Sequence, residues 1–220
     1  MRVGSGIGIT YLHLTNFVSL SYTLKDIKNN LNNLKYCMSH CNHSQNLYFL
    51  PSGTTQEFNV VIEIPYGSQN KYELDPKTGA IFLDRVLYSS EFYPFNYGFI
   101  PSTKAPDGDA FDVAVFLTNP VPAGCVVKAR AIGIIKKIDS GDQDDCILAV
   151  PTNDPRFKDI KEATDLQPHI LVEIQDFFAC YKRLQNKTCI VEGVFGRDIA
   201  EAEITAHLNN YPIYTEKTED

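Results

Sequence analysis

Two short stretches concentrate carboxylates. The first, Asp107-Gly108-Asp109-Ala110-Phe111-Asp112, runs directly into the apolar segment 113–117. In an extended strand residues i and i+2 share a face and i+5 points away, so Asp107, Asp109 and Asp112 converge only if the backbone bends. Gly108 permits that bend. The second stretch, Asp139-Ser140-Gly141-Asp142-Gln143-Asp144-Asp145, places four carboxylates in seven residues between two apolar segments. Desolvated like charges cannot all remain ionised, so this loop is either a solvated hairpin tip or a seat for a hard cation. Two such loops, each feeding a strand, point to oxygen-ligated Mg²⁺.

Other motif chemistries fit poorly. An EF-hand needs an oxygen ligand at loop position 5 and Gly at 6, where Phe111 and Asp112 stand. An aspartyl nucleophile belongs at the end of an apolar strand, and Ser102-Thr103-Lys104-Ala105-Pro106 before Asp107 is not one. No G-x-x-x-x-G-K-[ST] loop exists, and Gly4-Ser5-Gly6-Ile7-Gly8 has neither the spacing nor the preceding strand of a dinucleotide loop. Cys37, His40, Cys41 and His43 crowd into seven positions, unlike paired zinc knuckles.

A second population of side chains suits phosphate. Lys71 and Glu73 alternate onto one face, Arg85 ends the next strand, Tyr93 and Tyr97 flank Pro94-Phe95-Asn96, and Tyr181-Lys182 lies late in a helical segment. Taken singly, each has an ordinary structural role: a surface ion pair for Arg85, a core position with a satisfied hydroxyl for the tyrosines.

The elements that must carry these residues are mostly strands. Segments 59–64, 71–74, 80–86, 111–117, 126–137 and 146–150 are short, β-branched or aromatic, and separated by turn residues. Helical periodicity comes late, over 160–184, where Ile170, Leu171, Ile174, Phe177, Phe178 and Tyr181 recur at three-to-four spacing. A strand at 188–194 and a helix at 198–208 follow. Strands first and helices afterwards predict a mainly β protein with flanking α, a small barrel with helices on its flank.

The charge distribution narrows the function further. Residues 1–44 hold four bases against one acid, and the remaining residues sixteen bases against twenty-six acids. Such an acidic body repels nucleic acid and anionic membranes, so a bound anion must be handled through cations. Six cysteines in 220 residues, several in apolar runs, fit reduced thiols in a cytoplasmic protein better than a disulfide framework. Residues 1–44 read as an N-terminal extension before a domain at 45–220. Its low charge and scattered Ser and Thr exclude a membrane span, organelle targeting is an alternative, and Met38 offers a second start.

In this order, Leu50-Pro51-Ser52-Gly53, Val60-Val61-Ile62-Glu63-Ile64-Pro65, Lys71-Tyr72-Glu73, Asp84-Arg85, Phe92-Tyr93-Pro94-Phe95-Asn96-Tyr97-Gly98, the two acidic loops, Ala149-Val150-Pro151 and Tyr181-Lys182 resemble the family I soluble inorganic pyrophosphatases from about Leu47 to near Ala206. The resemblance implies an OB-type five-stranded closed β-barrel with helices packed on one side, and Mg²⁺-dependent hydrolysis of pyrophosphate to two orthophosphates by a metal-activated water. It implies Asp107, Asp112, Asp139 and Asp144 as principal metal ligands with Glu63 and Glu73 at the periphery. Asp109 becomes the base, and Lys71, Arg85, Tyr93, Tyr97, Tyr181 and Lys182 hold phosphate. It further implies a homo-oligomer, with a hexamer favoured.

Two departures from the family pattern stand out. Ala110 replaces a usual Pro, which predicts a looser loop with unchanged ligands. Cys146 stands where a phosphate-contacting Lys is usual, which predicts weaker phosphate binding or slower turnover and an oxidation-sensitive site. The alternative function is therefore a catalytically weakened phosphate-binding or scaffold protein of the same fold.

Overall fold

The computed structural model describes residues 46–105 and 108–210. The extension 1–44, its Cys/His group and Asp107 lie outside them.

Nine strands and two α-helices make up these residues: β1 (Phe58–Ile64), β2 (Asn70–Leu74), β3 (Ile81–Val86), β4 (Asn96–Ile100), β5 (Phe111–Val115), β6 (Val126–Asp139), β7 (Asp142–Gln143), β8 (Cys146–Pro151), α1 (Pro168–Cys180), β9 (Cys189–Phe195) and α2 (Arg197–Asn210). Strands pair in the order β1-β4-β5-β8-β6, and β6 returns to β1, so five strands close on themselves. That closure removes the unpaired edges an open sheet would expose. β7 and β9 extend β6 beyond the ring, and β2 pairs with β3 as a separate hairpin. The closed mainly β architecture agrees with the predicted fold class.

β4 has no counterpart in the sequence reading. All five of its residues are buried, so no polar alternation marks it. Gly98 explains its tight fit: a Cβ there would lie 1.9 Å from the Val61 carbonyl oxygen on β1.

Period-two alternation sorts the strand residues into two packed sets. Phe58, Val60, Ile62, Phe111, Val113, Val115, Ile147 and Ala149 cluster with Ala200 and Ile204 of α2. Ala114, Phe116, Ile135, Cys146, Leu148 and Val150 cluster with Ile174, Phe177, Phe178 and Tyr181, on or just after α1. A β-bulge between Ala131 and Gly133 of β6 inserts one residue and switches which of the two sets the following residues join.

The helical periodicity predicted over 160–184 narrows to α1. Residues 163–165 form a 3₁₀ turn with Glu162 and Asp165 in a reciprocal capping box. Pro168, with its fixed φ and no N–H to lose, opens the α-helix at its first turn. After Cys180 the chain passes through a 3₁₀ turn that stops at left-handed Asn186 (φ 56°). No helix among the described residues is long and apolar enough to cross a membrane.

Candidate active site

The row of apolar residues that packs on α1 turns polar at one end. On β5 that face reads Phe116, Ala114, Asp112; on β8 it reads Leu148, Cys146 and then Asp144 just outside the strand; on β6 it reads Ile135, Lys137, Asp139. Since these strands are neighbours in the order β5-β8-β6, alternation alone brings Asp112, Asp144, Lys137 and Asp139 together. The second acidic loop is held by backbone, with Asp144 N–H donating to Lys137 O at 3.0 Å.

A cavity of about 830 Å³ opens at this end. Glu63, Glu73, Asp109, Asp112, Asp139 and Asp144 form its acidic wall. Lys71, Tyr93, Tyr97, Tyr181 and Lys182 line the cavity among them, Lys182 paired with Asp139 and Lys71 with Glu73. Asp109 follows Gly108, which has φ +98°, the left-handed turn expected of the bend entering β5. Arg85 is not part of the wall. Its Nη1 lies 2.5 Å from Asp84 Oδ2, and the same Asp84 oxygen is 3.7 Å from Lys71 Nζ, so Asp84 ties the two cations together beside the cavity.

The carboxylates are held in an environment that resists their charge. Burial pushes Asp112 up to about 7, with the Asp144 charge adding to it and Lys137 and the Tyr97 hydroxyl opposing. Burial also pushes Glu63 up to about 8, although Glu63 Oε1 accepts the Leu74 N–H at 2.6 Å. Among the cations, Lys182 falls to about 8 through desolvation and then the neighbouring charges of Lys71, Lys137 and Arg85. Its ammonium is ion-paired with Asp139. The phenols of Tyr93, Tyr97 and Tyr181 are all pushed up by burial and remain protonated donors.

An oxygen-lined pocket that suppresses its own acids while gathering cations beside them is suited to divalent metal together with a polyanion. The inorganic pyrophosphatase family model matches residues 60–212. The chain belongs to the inorganic pyrophosphatase family. It is 46% identical over 162 residues to soluble inorganic pyrophosphatase 1 of Arabidopsis thaliana, covering 74% of this chain and 76% of that protein. Over 153 residues it is 47% identical to the inorganic pyrophosphatase of Nostoc sp., covering 70% and 90% respectively. The crystal structure of inorganic pyrophosphatase from Thermus thermophilus superposes with a TM-score of 0.73 at 42% identity, covering 76% of this chain and 98% of that one.

Within this pyrophosphatase fold, several polar residues at the site escaped the sequence reading. Lys136, Glu192 and Glu203 also line the cavity, together with Asp145 of the second acidic loop. Asp145 accepts the backbone N–H of Lys137 at 3.2 Å and the side-chain amide of Gln143 at 2.5 Å, bracing the second acidic loop. Lys137 is the most consequential omission. Only 1% exposed, it holds its ammonium 2.6 Å from Asp144 Oδ2 and 5.0 Å above the Phe178 ring. The signal for it was a Lys two residues beyond buried Ile135, on the face that continues to Asp139.

Cys146 is wholly buried, and burial followed by the charge of Asp112 pushes its thiol well up. A thiol without access or thiolate character is a poor target for oxidants, contrary to the expected oxidation sensitivity.

Proposed function

We propose that this chain hydrolyses pyrophosphate to two orthophosphates in a Mg²⁺-dependent reaction at this cavity. The observation that carries the reading is the gathering of Asp112, Asp139, Asp144 and Glu63 with Lys71, Lys182 and three tyrosines in the lining of one cavity, several of them directly paired. Membership of the inorganic pyrophosphatase family supports it.

The donor set fits a hard divalent ion. Every acidic group in the lining offers oxygen, and burial holds the Asp112 and Glu63 carboxyls up despite the nearby lysines, a cost that a bound cation would relieve. Asp107, Asp112, Asp139 and Asp144 would hold magnesium, with Glu63 and Glu73 at the edge. When bound, magnesium supplies charge to attract the polyanion and Lewis acidity to activate water.

The protein's own groups do the rest. Asp109, which lines the cavity as Asp112 does, takes the proton of the attacking water onto a carboxylate oxygen. As the new P–O bond forms and the bridging P–O bond breaks, the leaving phosphate gathers charge. Lys71 and Lys182 neutralise it, and the Arg85 guanidinium joins them once its planar fork turns from Asp84 to grip two phosphate oxygens. Tyr93, Tyr97 and Tyr181, kept protonated by burial, donate to phosphate oxygens or orient the carboxylates.

Phosphate release from pyrophosphate at millimolar Mg²⁺ tests the reading, with Asp109→Asn expected to abolish it. A folded sample with no release above background leaves instead the phosphate-binding scaffold. We further propose a cytoplasmic homo-oligomer, a hexamer in the first instance, built on the domain at 45–220 with 1–44 as an extension. Light scattering on chains begun at Met1 and at Met38 tests assembly and extension together.

A further inference from the structure

Burying an ammonium costs several kcal/mol unless nearby groups repay it. At Lys137 the neighbours are few. Its Nζ forms the ion pair with Asp144 and stands over Phe178, and it finds no well-aligned hydrogen-bond acceptor among the described residues. A methionine would fill the same apolar row between Ile135 and Phe178 without that cost. The charge therefore has a use, and its surroundings indicate which. Asp112 and Asp144 are both close enough to act on it, and Lys137 in turn acts on Lys182, as Lys71 and Arg85 do. Lys137 does not itself line the cavity; its charge lies just behind the lining, paired with Asp144 and felt by Asp112 and Lys182.

The strand pairing adds a second observation. Cys146 on β8 lies directly opposite Ile135 on β6, two residues before Lys137, so the thiol and the lysine stem share one face. Cys146 is small, neutral and wholly buried. The Lys137 charge and the Cys146 thiol are close enough to act on each other.

We propose that Lys137 is a positioning residue which, from β6, supplies the fixed positive charge that the thiol of Cys146 on β8 cannot, holding Asp144 in the cavity wall and attracting bound phosphate. One cation serves two strand positions, and either strand can carry it. The weakened phosphate binding expected from Cys146 alone is then offset within the same pocket. This inference rests on the hydrolase reading for its kinetic consequence, but phosphate binding measures it independently.

The test compares the parent, Lys137→Met and Lys137→Met/Cys146→Lys. Each is assayed for kcat and KM on pyrophosphate and titrated with inorganic phosphate by calorimetry. Lys137→Met keeps side-chain volume, so loss of packing does not confound it. It is expected to weaken phosphate binding and raise KM by about tenfold, the scale of one charge-assisted contact. The double variant is expected to return both to within about threefold of the parent, on the same scale. A purely structural lysine predicts altered stability, unchanged phosphate affinity and no rescue from the other strand. Phosphate affinity in Lys137→Met within about twofold of the parent overturns the proposal. So does a double variant that fails to fold or fails to regain affinity, including the case where Lys137→Met alone does not fold. An inactive parent overturns the hydrolase reading, while the phosphate titrations of the same proteins still decide this one.

Discussion

Tyr97 donates its phenolic proton to Asp112 Oδ2 along the diagonal between β4 and β5. Phe99 is the direct cross-strand partner of Asp112 and Ala114 that of Tyr97, so the two side chains meet by leaning along one face. The bond favours the ionised carboxylate against the burial that opposes it. Tyr97→Phe therefore pushes Asp112 further up, and the acidic limb of the kcat/KM profile against pH should move to higher pH. A hydrogen bond to a charged group is worth about 1.5–3 kcal/mol, so kcat/KM near neutrality should fall roughly tenfold or more. An unmoved acidic limb would show that Asp112 does not depend on this hydroxyl.

Metal-free protein should lose stability as pH rises from about 4 to about 8. Asp112 climbs from 3.8 to about 7 and Glu63 from 4.5 to about 8 on folding. In that window the native state binds more protons than the unfolded chain, so stability falls with rising pH. Lys182, lowered from 10.5 to about 8, has the opposite sign at higher pH, because there the unfolded chain binds the extra proton. A fall in stability up to about pH 8 follows. Urea midpoints in chelator across pH 5–9 should trace it, and magnesium should flatten it; a midpoint that rises steadily from pH 5 to 8 would contradict the assignment.

Removing the carboxylate of Asp144 leaves Lys137 buried without its ion-pair partner. Asp144→Asn should destabilise the fold by about 3 kcal/mol, the low end for breaking a buried pair because Asp144 itself is partly exposed. Adding Lys137→Met should restore most of that stability without restoring activity. Chemical denaturation of the two variants checks this, and equal stabilities would mean that the pair carries no coupling.

Gly98→Ala should prevent the barrel from closing. The added methyl would meet backbone atoms of Val61 and Ile62, which cannot swing aside as a flexible side chain can. Loss of the β1–β4 pairing should appear as an insoluble or molten product with weak near-ultraviolet circular dichroism. A cooperatively folded Gly98→Ala protein would show that β4 can shift to make room.

Much of the fold was legible because its strands alternate or carry turn residues at their ends, as β2 and β3 do around Asp75-Pro76-Lys77-Thr78-Gly79. β4 was not, since burial of every residue leaves no period to read. The helix predicted from residue 160 begins only at Pro168, because apolar spacing continues through a 3₁₀ turn that the capping pair Glu162 and Asp165 closes early. At the site, the acidic loops announced themselves by local density of charge. Arg85, read as a phosphate-binding residue, stands beside the cavity paired with Asp84. Lys137 was invisible for a different reason: in a strand whose alternation is broken midway, a lysine reads as solvent-facing when it is wholly enclosed.

The break in that alternation sets more than local geometry. Ala129 and Ala131 belong to the set that packs with α2, and an uninterrupted strand would send Lys137 and Asp139 the same way. The extra residue before Gly133 turns them instead toward Asp112 and Asp144. A register slip that paired every residue there one-for-one with β8 would leave the sequence untouched and every acidic loop in place. It would nonetheless invert the last third of β6, aiming an ammonium and a carboxylate into hydrocarbon and emptying half of the catalytic mouth. The chemistry of this protein thus hangs on a single miscount between two paired strands, some distance from any atom that pyrophosphate would touch.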